Sequence, residues 1–343
     1  MDKSAAGSFI FAKASGNLGK SFVGSRSQIL FEQKNLGELW TLLFKSPVPV
    51  IPEVLLAEKI ETEAFSRFFN KYVSFVNAYD KPNPILTDLL CIYEVSNLKV
   101  IAAALANGET KAPNLMDLGT FAKCNFKAWP NLAEITAGTP YSWLNKTPSV
   151  HDLQHIDYKL DLFVVQHLWN SVQKTSGENK EIFEKIFFNV YVIKNIVWAL
   201  RLRIYYKMED EEIIKRLIYV TDGPSMGDPV AAPAIKVLEM PLNDAEVWEK
   251  WTYKEYVNPY VSGENWQIDP AWIEKKAAVK VNKIAMNAFH QYPMTDCSLV
   301  GWYKIKEYEL SCIRMAVESL RLNINTEEAM QAAGLLAEGG LSG

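Results

Sequence analysis

Residues 189–203 read NVYVIKNIVWALRLR, and this stretch decides the fold because the chain repeats its pattern twice more. Its counterparts are residues 91–105, CIYEVSNLKVIAAAL, and residues 306–320, KEYELSCIRMAVESL. Apolar residues recur in each at steps of three and four, which places them on one face of an α-helix. The pattern therefore predicts three similar long helices, each with one buried stripe. The matched apolar positions are Val95, Leu98 and Ala102, then Ile193, Ile196 and Leu200, then Leu310, Ile313 and Val317.

A short Asn-x-x-Glu box precedes each of these helices. Such a box begins a helix, because the Asn and Glu side chains accept hydrogen bonds from backbone N–H groups that have no partner there. The boxes begin at Asn35, Asn131 and Asn243, and they precede the matched helix positions Asn97, Asn195 and Cys312 by 62, 64 and 69 residues. The order and spacing of box and helix thus agree three times, which indicates an internal repeat.

Each long helix is followed by polar residues that end it and by acidic residues that favour the start of a new helix. These segments are residues 107–109, 207–212 and 323–328. Gly or Asn near a helix end and carboxylates at the next helix start are typical of such boundaries. The repeats predict an all-α protein of three similar helical units, residues 1–113, 114–223 and 224–325, followed by a disordered tail at 326–343. Two further helix starts are predicted at Ser149 with Asp152, and at Asp269 before Pro270 for a helix that runs to about His290.

Composition restricts the classes of function. The chain has 343 residues, 49% of them hydrophobic, with 36 Lys and Arg against 40 Asp and Glu. A net charge of −4 leaves no basic excess for phosphate backbones, so we expect no nucleic-acid partner. The apolar stretch from Ile182 to Tyr206 carries several charges and is predicted to be a buried helix rather than a membrane span. No signal peptide is evident, and a cytoplasmic location is expected.

The four cysteines are widely spaced and have no companion histidines at zinc-finger spacing. They are predicted to be reduced, buried, small apolar side chains. The four are Cys91, Cys124, Cys297 and Cys312.

One stretch resembles a nucleotide-binding loop. Residues 14–21 read ASGNLGKS, a relaxed form of the Walker A pattern, and Asp222 follows a short apolar run. A true phosphate loop lies between a strand and a helix and wraps phosphates with backbone N–H groups. Because the chain lacks alternating strands and helices, we interpret residues 14–21 as structural.

A second stretch resembles a zinc hydrolase motif. His151 and His155 are four residues apart and flank Asp152, as in the H-E-x-x-H pattern. A third ligand is missing, because His167 is too far along the same helix to reach one ion. Asp152 is already explained as part of a helix cap. We therefore predict no metal, no cofactor and no catalytic residues.

Several segments together resemble the C-type subunits of the archaeal and bacterial V/A-type rotary ATPases, which are related to the d-type subunits of the eukaryotic V-type ATPases. The resemblance spans most of the chain. The matching segments are residues 9–14 (FIFAKA), 93–99 (YEVSNLK), 133–141 (AEITAGTPY), 194–206 (KNIVWALRLRIYY) and 306–314 (KEYELSCIR). What the resemblance implies is a funnel of three similar domains in a pseudo-threefold arrangement.

The resemblance also implies a function. The protein would be a non-catalytic central-stalk subunit, a socket that couples the rotating central shaft to the membrane rotor ring for ion transport. Its partners would be the shaft subunits and the ring, and it would meet the membrane only through the complex, on its cytoplasmic face. The alternatives are a helical-repeat adaptor unrelated to ATPases, a P-loop nucleotide-binding protein and a zinc hydrolase.

Overall fold

Four of the five helix caps predicted from the sequence are present in the structure. The computed structural model describes residues 1–221, 223–260 and 265–335. Helices make up 66% of the structure, and the described part contains no β-strand, so the all-α prediction is confirmed. The α-helices are α1 (Lys3–Leu18), α2 (Leu36–Phe44), α3 (Glu53–Val76), α4 (Pro84–Ala106), α5 (Leu132–Thr136), α6 (Leu153–Lys174), α7 (Glu178–Phe187), α8 (Ile193–Tyr205), α9 (Asp210–Ile214), α10 (Ala232–Leu238), α11 (Ala245–Glu249), α12 (Pro270–Gln291), α13 (Asp296–Leu322) and α14 (Thr326–Ala332).

Two of the three Asn-x-x-Glu boxes cap their helices as predicted. Asn35 Oδ1 accepts a hydrogen bond from the Glu38 backbone N–H at 2.9 Å, at the start of α2. Asn131 Oδ1 accepts from the Glu134 N–H at 3.3 Å, at the start of α5. Both boxes therefore mark helix starts by the expected contact.

The third box is one residue away from its predicted place. Asp244, and not Asn243, caps α11, and its Oδ1 accepts from the N–H groups of Glu246 and Val247 at 3.1 and 3.4 Å. A carboxylate gains from the partial positive charge at a helix start, whereas a neutral amide gains less. The prediction that Asn243 is the cap was therefore wrong.

The other two predicted starts are confirmed. Asp152 Oδ2 accepts from the Ser149 N–H at 2.9 Å and from its hydroxyl at 2.7 Å, which opens a 3₁₀ turn that leads into α6. Asp269 Oδ1 accepts from the Ala271 N–H at 2.8 Å at the start of α12. That helix ends one residue after His290, close to the predicted end.

The three repeated stretches are helical, and their matched apolar faces are buried except at Leu310, which is partly buried. Residues 91–105 lie within α4, residues 306–320 lie within α13, and residues 189–203 cover a π-helical turn at Phe188–Val192 and most of α8. The apolar stretch from Ile182 to Tyr206 is thus helical as predicted, but the π turn interrupts it.

Each repeated helix also stops in the same way. A residue with positive φ follows it, and these residues are Gly108 (71°), Lys207 (50°) and Asn323 (51°). They lie 11, 12 and 11 residues after the matched helix positions. A residue in the left-handed conformation just past the last turn is a common way to end a helix. The three repeated helices therefore end with the same backbone conformation.

Two matched asparagines hold the backbone of a later segment by the same pair of hydrogen bonds. Asn97 Nδ2 donates to the Met116 C=O and Asn97 Oδ1 accepts from the Met116 N–H, both at 2.9 Å. Asn195 does the same to Ile218, at 2.8 and 3.0 Å. The third matched position, Cys312, lies in an apolar cluster. The repeat thus extends to specific contacts in two of its three copies.

The structure divides into two compact units, and both are discontinuous in sequence. Unit 1 consists of Met1–Pro82, Glu181–Ile193 and Pro241–Gly343, and unit 2 consists of Asn83–Lys180 and Lys194–Met240. The division of the chain into residues 1–113, 114–223 and 224–325 stays a prediction. The Asn97 contact reaches Met116, three residues beyond the first of those predicted boundaries.

In unit 1, α13 packs against α12, α3 and α1. Gly301 allows α12 to come close, because a Cβ there would lie 2.7 Å from the Ala285 carbonyl oxygen and 3.0 Å from the Phe289 nitrogen. The indole of Trp302 is fully buried, and it stacks on Tyr72 of α3 with ring centres 6.5 Å apart. Aromatic packing of this kind joins α13 to α3.

A second core cluster of unit 1 joins residues 30–64 to residues 312–333. It includes Ala329 of α14, which is buried, and the Tyr308 hydroxyl donates to the Ala333 carbonyl at 2.8 Å. The prediction of a disordered tail from residue 326 was therefore wrong for α14, because this helix is capped by Asn325 and buries apolar surface. Residues 336–343 lie outside the described part of the chain.

In unit 2, α4 packs against α6. Within the described residues, α4 is the one helix long and apolar enough to cross a membrane, with a mean hydropathy of 1.6 over its most apolar window, and 61% of that window is buried in the structure. Buried core helices pass the same test. Glu94 of α4 is also buried, and it accepts from the N–H groups of Lys123 and Cys124 at 2.5 and 2.8 Å.

Candidate functional site

The Walker-like stretch is the end of a helix and not a phosphate loop. Residues 14–18 belong to α1, and Gly19 follows with ordinary helical φ of −60°. The N–H groups of Gly19, Lys20 and Ser21 donate to carbonyl oxygens three or four residues earlier, at 2.9, 3.0 and 3.0 Å. The next N–H, that of Phe22, donates to Glu309 Oε1 at 2.6 Å. These N–H groups are therefore unavailable to a phosphate. Asp222 lies outside the described residues.

The histidines of the zinc-like motif are exposed on unit 2. His151 lies in the 3₁₀ turn before α6, and His155 lies in the first turn of α6. His167, further along α6, instead has its Nε2 2.8 Å from Asp88 Oδ1, and Ser171 donates to the other oxygen of the same carboxylate. Across residues 1–221, 223–260 and 265–335, no three His, Cys, Asp or Glu residues are placed so that they could hold a metal ion.

All four cysteines are buried, as predicted, and none of the four forms a disulfide. Burial raises the pKa of Cys91 to about 11 and the pKa of both Cys124 and Cys312 to about 12. The thiolate is the nucleophilic form of cysteine, so these three side chains stay in their unreactive protonated form at neutral pH.

A basic cleft in unit 1 is the feature that could bind a ligand or a partner. It has a volume of about 720 Å³, and the end of α1, the 3₁₀ turn at Gly24–Leu30, and helices α2, α3 and α13 surround it. Its basic residues are Lys20, Arg26, Lys45, Arg67, Lys71 and Lys306, and its one carboxylate is Glu309. The protein as a whole is acidic, so this excess of positive charge is local.

Three of the six cations are held in place by the walls. Arg26 Nη1 donates to the Gly19 carbonyl at 2.5 Å. Arg67 Nε pairs with Glu63 at 2.7 Å, and its guanidinium lies 4.7 Å from the centre of the Phe44 ring. Such contacts fix the direction of a guanidinium and leave its other N–H groups for a ligand.

Lys306 is the third cation held in this way, and it lies deepest. Its Nζ donates to Ser21 Oγ at 2.9 Å and pairs with Glu309, and the side chains of Lys306 and Glu309 are only 13% and 5% exposed. The carboxylate of Glu309 also accepts from Phe22. This buried pair is neutral overall, so it forms a structural floor rather than the charged part of the cleft.

The other three cations are exposed. Lys20 and Lys45 follow the ends of α1 and α2, and Lys71 belongs to α3; no ion pair to any of them is present in the described part of the chain. Apolar side chains of α2 and α13 line the same cleft. These are Leu42, Leu43, Phe44, Leu310 and Ile313. A cleft lined by apolar side chains and by exposed cations can bind an anionic group that carries apolar surface.

Sequence reasoning did not find this cleft. Its residues come from four separated stretches, 17–29, 42–45, 64–71 and 302–313. Lys20 and Ser21 belong to the Walker-like pattern, which by itself indicates nothing about their neighbours in the cleft. None of the stretches carries a local charge run, so a single sequence offers no signal that would bring them together.

The described part of the chain is helical and contains no β-strand, which places the protein in the class of all-α proteins. Within that class the family is shown by its family model, described as ATP synthase (C/AC39) subunit, which matches residues 30–332. The chain belongs to the ATP synthase (C/AC39) subunit family, a family of non-catalytic ATPase subunits. The resemblance to the V/A-type rotary ATPases is thereby confirmed.

One relative also resembles the chain over most of its length. It is an uncharacterized protein of Treponema pallidum (strain Nichols), 22% identical over 312 residues, which are 90% of this chain and 91% of that protein. The likeness therefore extends along nearly the whole of both chains.

Proposed function

We propose that this protein is a non-catalytic central-stalk subunit of a V/A-type ATPase or ATP synthase, a socket that couples the rotating shaft to the membrane rotor ring. The observation that carries the proposal is the family match over residues 30–332. A component of this kind transmits torque through contacts with its partners, and it requires no active site of its own.

The packing of the chain supports such a mechanical role. A part under torque has to resist deformation, and hydrogen bonds from buried side chains to the backbone fix connecting segments against helices. Asn97 and Asn195 make such bonds to Met116 and Ile218, and Glu94 makes them to residues 123 and 124. The three predicted units, arranged as a pseudo-threefold funnel, are part of the proposal, and the common helix stops at residues 108, 207 and 323 favour them.

The proposed partners are the central shaft subunits and the rotor ring. The protein would lie on the cytoplasmic face of the membrane and be held there through the complex. Its net charge of −4 fits a role among proteins better than one on nucleic acid.

The three alternatives are weaker. An adaptor unrelated to ATPases would share the repeats, but it would not account for the family match. A P-loop protein would need free backbone N–H groups around residues 19–22, and those groups already donate to oxygen atoms. A zinc hydrolase would need a third ligand near His151 and His155, and His167 is bonded to Asp88.

Reconstitution tests the proposal. The purified chain is mixed with the shaft subunits, with the detergent-solubilised rotor ring, and with both, and the products are separated by size. We expect it to join shaft and ring into one particle and to show no ATPase activity by itself. An ATP titration followed by calorimetry should give no saturable binding. Retention of neither partner would reject the proposal.

A further inference from the structure

We infer that the basic cleft of unit 1 receives an acidic amphipathic helix of the shaft, with carboxylates that meet Lys20, Lys45 and Lys71 and an apolar side chain that enters between α2 and α13. The inference rests on the proposed function, since it names the partner surface that the socket would hold. It assigns a binding role to a specific set of residues.

Charge is the first argument. Six cations line the cleft against one carboxylate, although the whole chain is acidic. The buried Lys306 and Glu309 neutralise each other, and Arg67 pairs with Glu63, so the charge that remains lies on Lys20, Arg26, Lys45 and Lys71. Like charges gathered around one opening repel each other, and an anionic partner relieves that repulsion while it is steered to the opening.

The backbone N–H groups of the cleft favour a set of carboxylates over a phosphate as the bound anion. Phosphate sites of proteins present several free N–H groups to one compact anion. In this cleft the N–H groups of residues 19–22 are all engaged, and the last of them is held by Glu309. Lys20 and Lys45 follow the ends of two helices, and Lys71 lies within a third. Their arrangement fits several carboxylates spread along a segment better than one compact phosphate.

The apolar side chains that line the cleft favour an amphipathic helix over a loose acidic tail as its occupant. Leu42, Leu43 and Leu310 line the cleft and are only partly buried against the core. A purely acidic chain would place no apolar group against the parts of these side chains that the core leaves uncovered. A helix laid in a groove buries an apolar face and presents charged residues on both sides, which is a common mode of peptide recognition.

A charge-reversal experiment tests the inference. The cleft variant carries Lys20→Glu, Lys45→Glu and Lys71→Glu. The matched control carries Lys111→Glu, Lys146→Glu and Lys236→Glu, which are exposed residues of unit 2 with the same change of net charge. Affinities for the shaft subunits and for the rotor ring are measured separately at two salt concentrations. Circular dichroism and urea unfolding show whether each variant is folded like the parent.

We expect the cleft variant to bind the shaft about 100-fold more weakly while it keeps its affinity for the ring, because close charge pairs at interfaces contribute a few kcal/mol together. The control should bind both partners as the parent does, and binding of the parent to the shaft should weaken in high salt.

Four results would overturn the inference, and they are distinguishable. If the parent and the cleft variant bind the shaft equally, the cleft is not the docking place, although the proposed function stands. If the cleft variant loses the ring instead, the named occupant is wrong. If inorganic tripolyphosphate binds the parent but not the cleft variant while shaft binding is unchanged, the cleft serves a small anion. If the parent binds neither partner, the proposed function fails with it.

Discussion

The carboxylate of Glu309 in α13 accepts a hydrogen bond from the backbone N–H of Phe22 at 2.6 Å, although 287 residues separate the two in the chain. Glu309 stands three residues before the matched position Cys312, and Glu94 stands three residues before the matched position Asn97. Glu94 also accepts from backbone N–H groups, those of residues 123 and 124. The same acidic position thus fastens a connecting segment in two copies of the repeat.

We predict that Glu309→Ala lowers the free energy of unfolding by about 3–5 kcal/mol, because it leaves Lys306 buried without its carboxylate and the Phe22 N–H without its acceptor. Urea unfolding at pH 7 measures the loss. The double variant Lys306→Met with Glu309→Gln removes both charges and keeps an acceptor for Phe22, so it should regain most of the stability. A loss below about 1 kcal/mol in Glu309→Ala would show that the pair is not a structural floor.

The paired hydrogen bonds from Asn97 to Met116 and from Asn195 to Ile218 give a second prediction. Asn97→Ala and Asn195→Ala should each lower the free energy of unfolding by about 2–4 kcal/mol, because each leaves a partly buried N–H and a partly buried C=O unpaired. Asn131→Ala, which removes an exposed helix cap, is the control and should lower it by about 1 kcal/mol. Equal decreases in the free energy of unfolding in all three variants would mean that these paired hydrogen bonds stabilise the protein no more than a helix cap does. Denaturant titrations of the three proteins give the comparison.

The helix stops give a third prediction. Lys207 has a φ of 50°, which strains an ordinary side chain, whereas Gly108 at the equivalent place has a φ of 71°. Lys207→Gly should raise the free energy of unfolding by about 0.5–1 kcal/mol, and Gly108→Lys should lower it by about 1 kcal/mol. Opposite shifts of the thermal midpoint would show both effects. A stabilised Gly108→Lys would contradict the assignment of these residues as left-handed stops.

The buried thiols give a prediction for alkaline pH. Burial raises the pKa of Cys91 from 9.0 to about 11 and those of Cys124 and Cys312 to about 12. Above pH 9 the unfolded chain releases thiol protons that the folded chain keeps, so the free energy of unfolding falls as pH rises from 9 toward 12. The contribution of each thiol to that slope is about 1.4 kcal/mol per pH unit.

Urea unfolding between pH 8 and pH 10.5 measures this slope. A variant with all three of these cysteines changed to Ala should show a shallower fall than the parent, although buried tyrosines still contribute, since burial also raises the pKa of Tyr219 to about 12. Identical slopes in the two proteins would exclude the thiols as its source.

The sequence predicted the helices well because their signals are local. Periodicity needs only neighbouring residues, and a cap needs a side chain within three residues of the N–H that it accepts from. The error at Asn243 has the same origin, since the adjacent Asp244 can satisfy the same N–H groups and the pattern alone does not choose between them. The π turn at Phe188–Val192 has no such local signal.

The two units and the basic cleft depend on contacts that a pattern does not contain. The core of unit 1 joins residues 30–64 to residues 312–333, and the cleft joins Lys20 and Lys45 to Lys306. Pairing across such distances follows from how all the helices pack together. For the same reason the sequence does not predict the burial of Ala329, and the prediction of disorder extended over α14.

The discontinuous core of unit 1 also bears on how the protein is made. A ribosome releases the segments of unit 2 when residue 240 has emerged, so that unit can reach its packed state during translation. Helices α2 and α3 emerge much earlier and can pack against each other, but the apolar surface that they bury against α13 stays uncovered until α13 has been synthesised. Helices α2 and α3 therefore spend the longest time without the helix that they pack against, α13. They form the part of the chain that a chaperone would have to cover during synthesis.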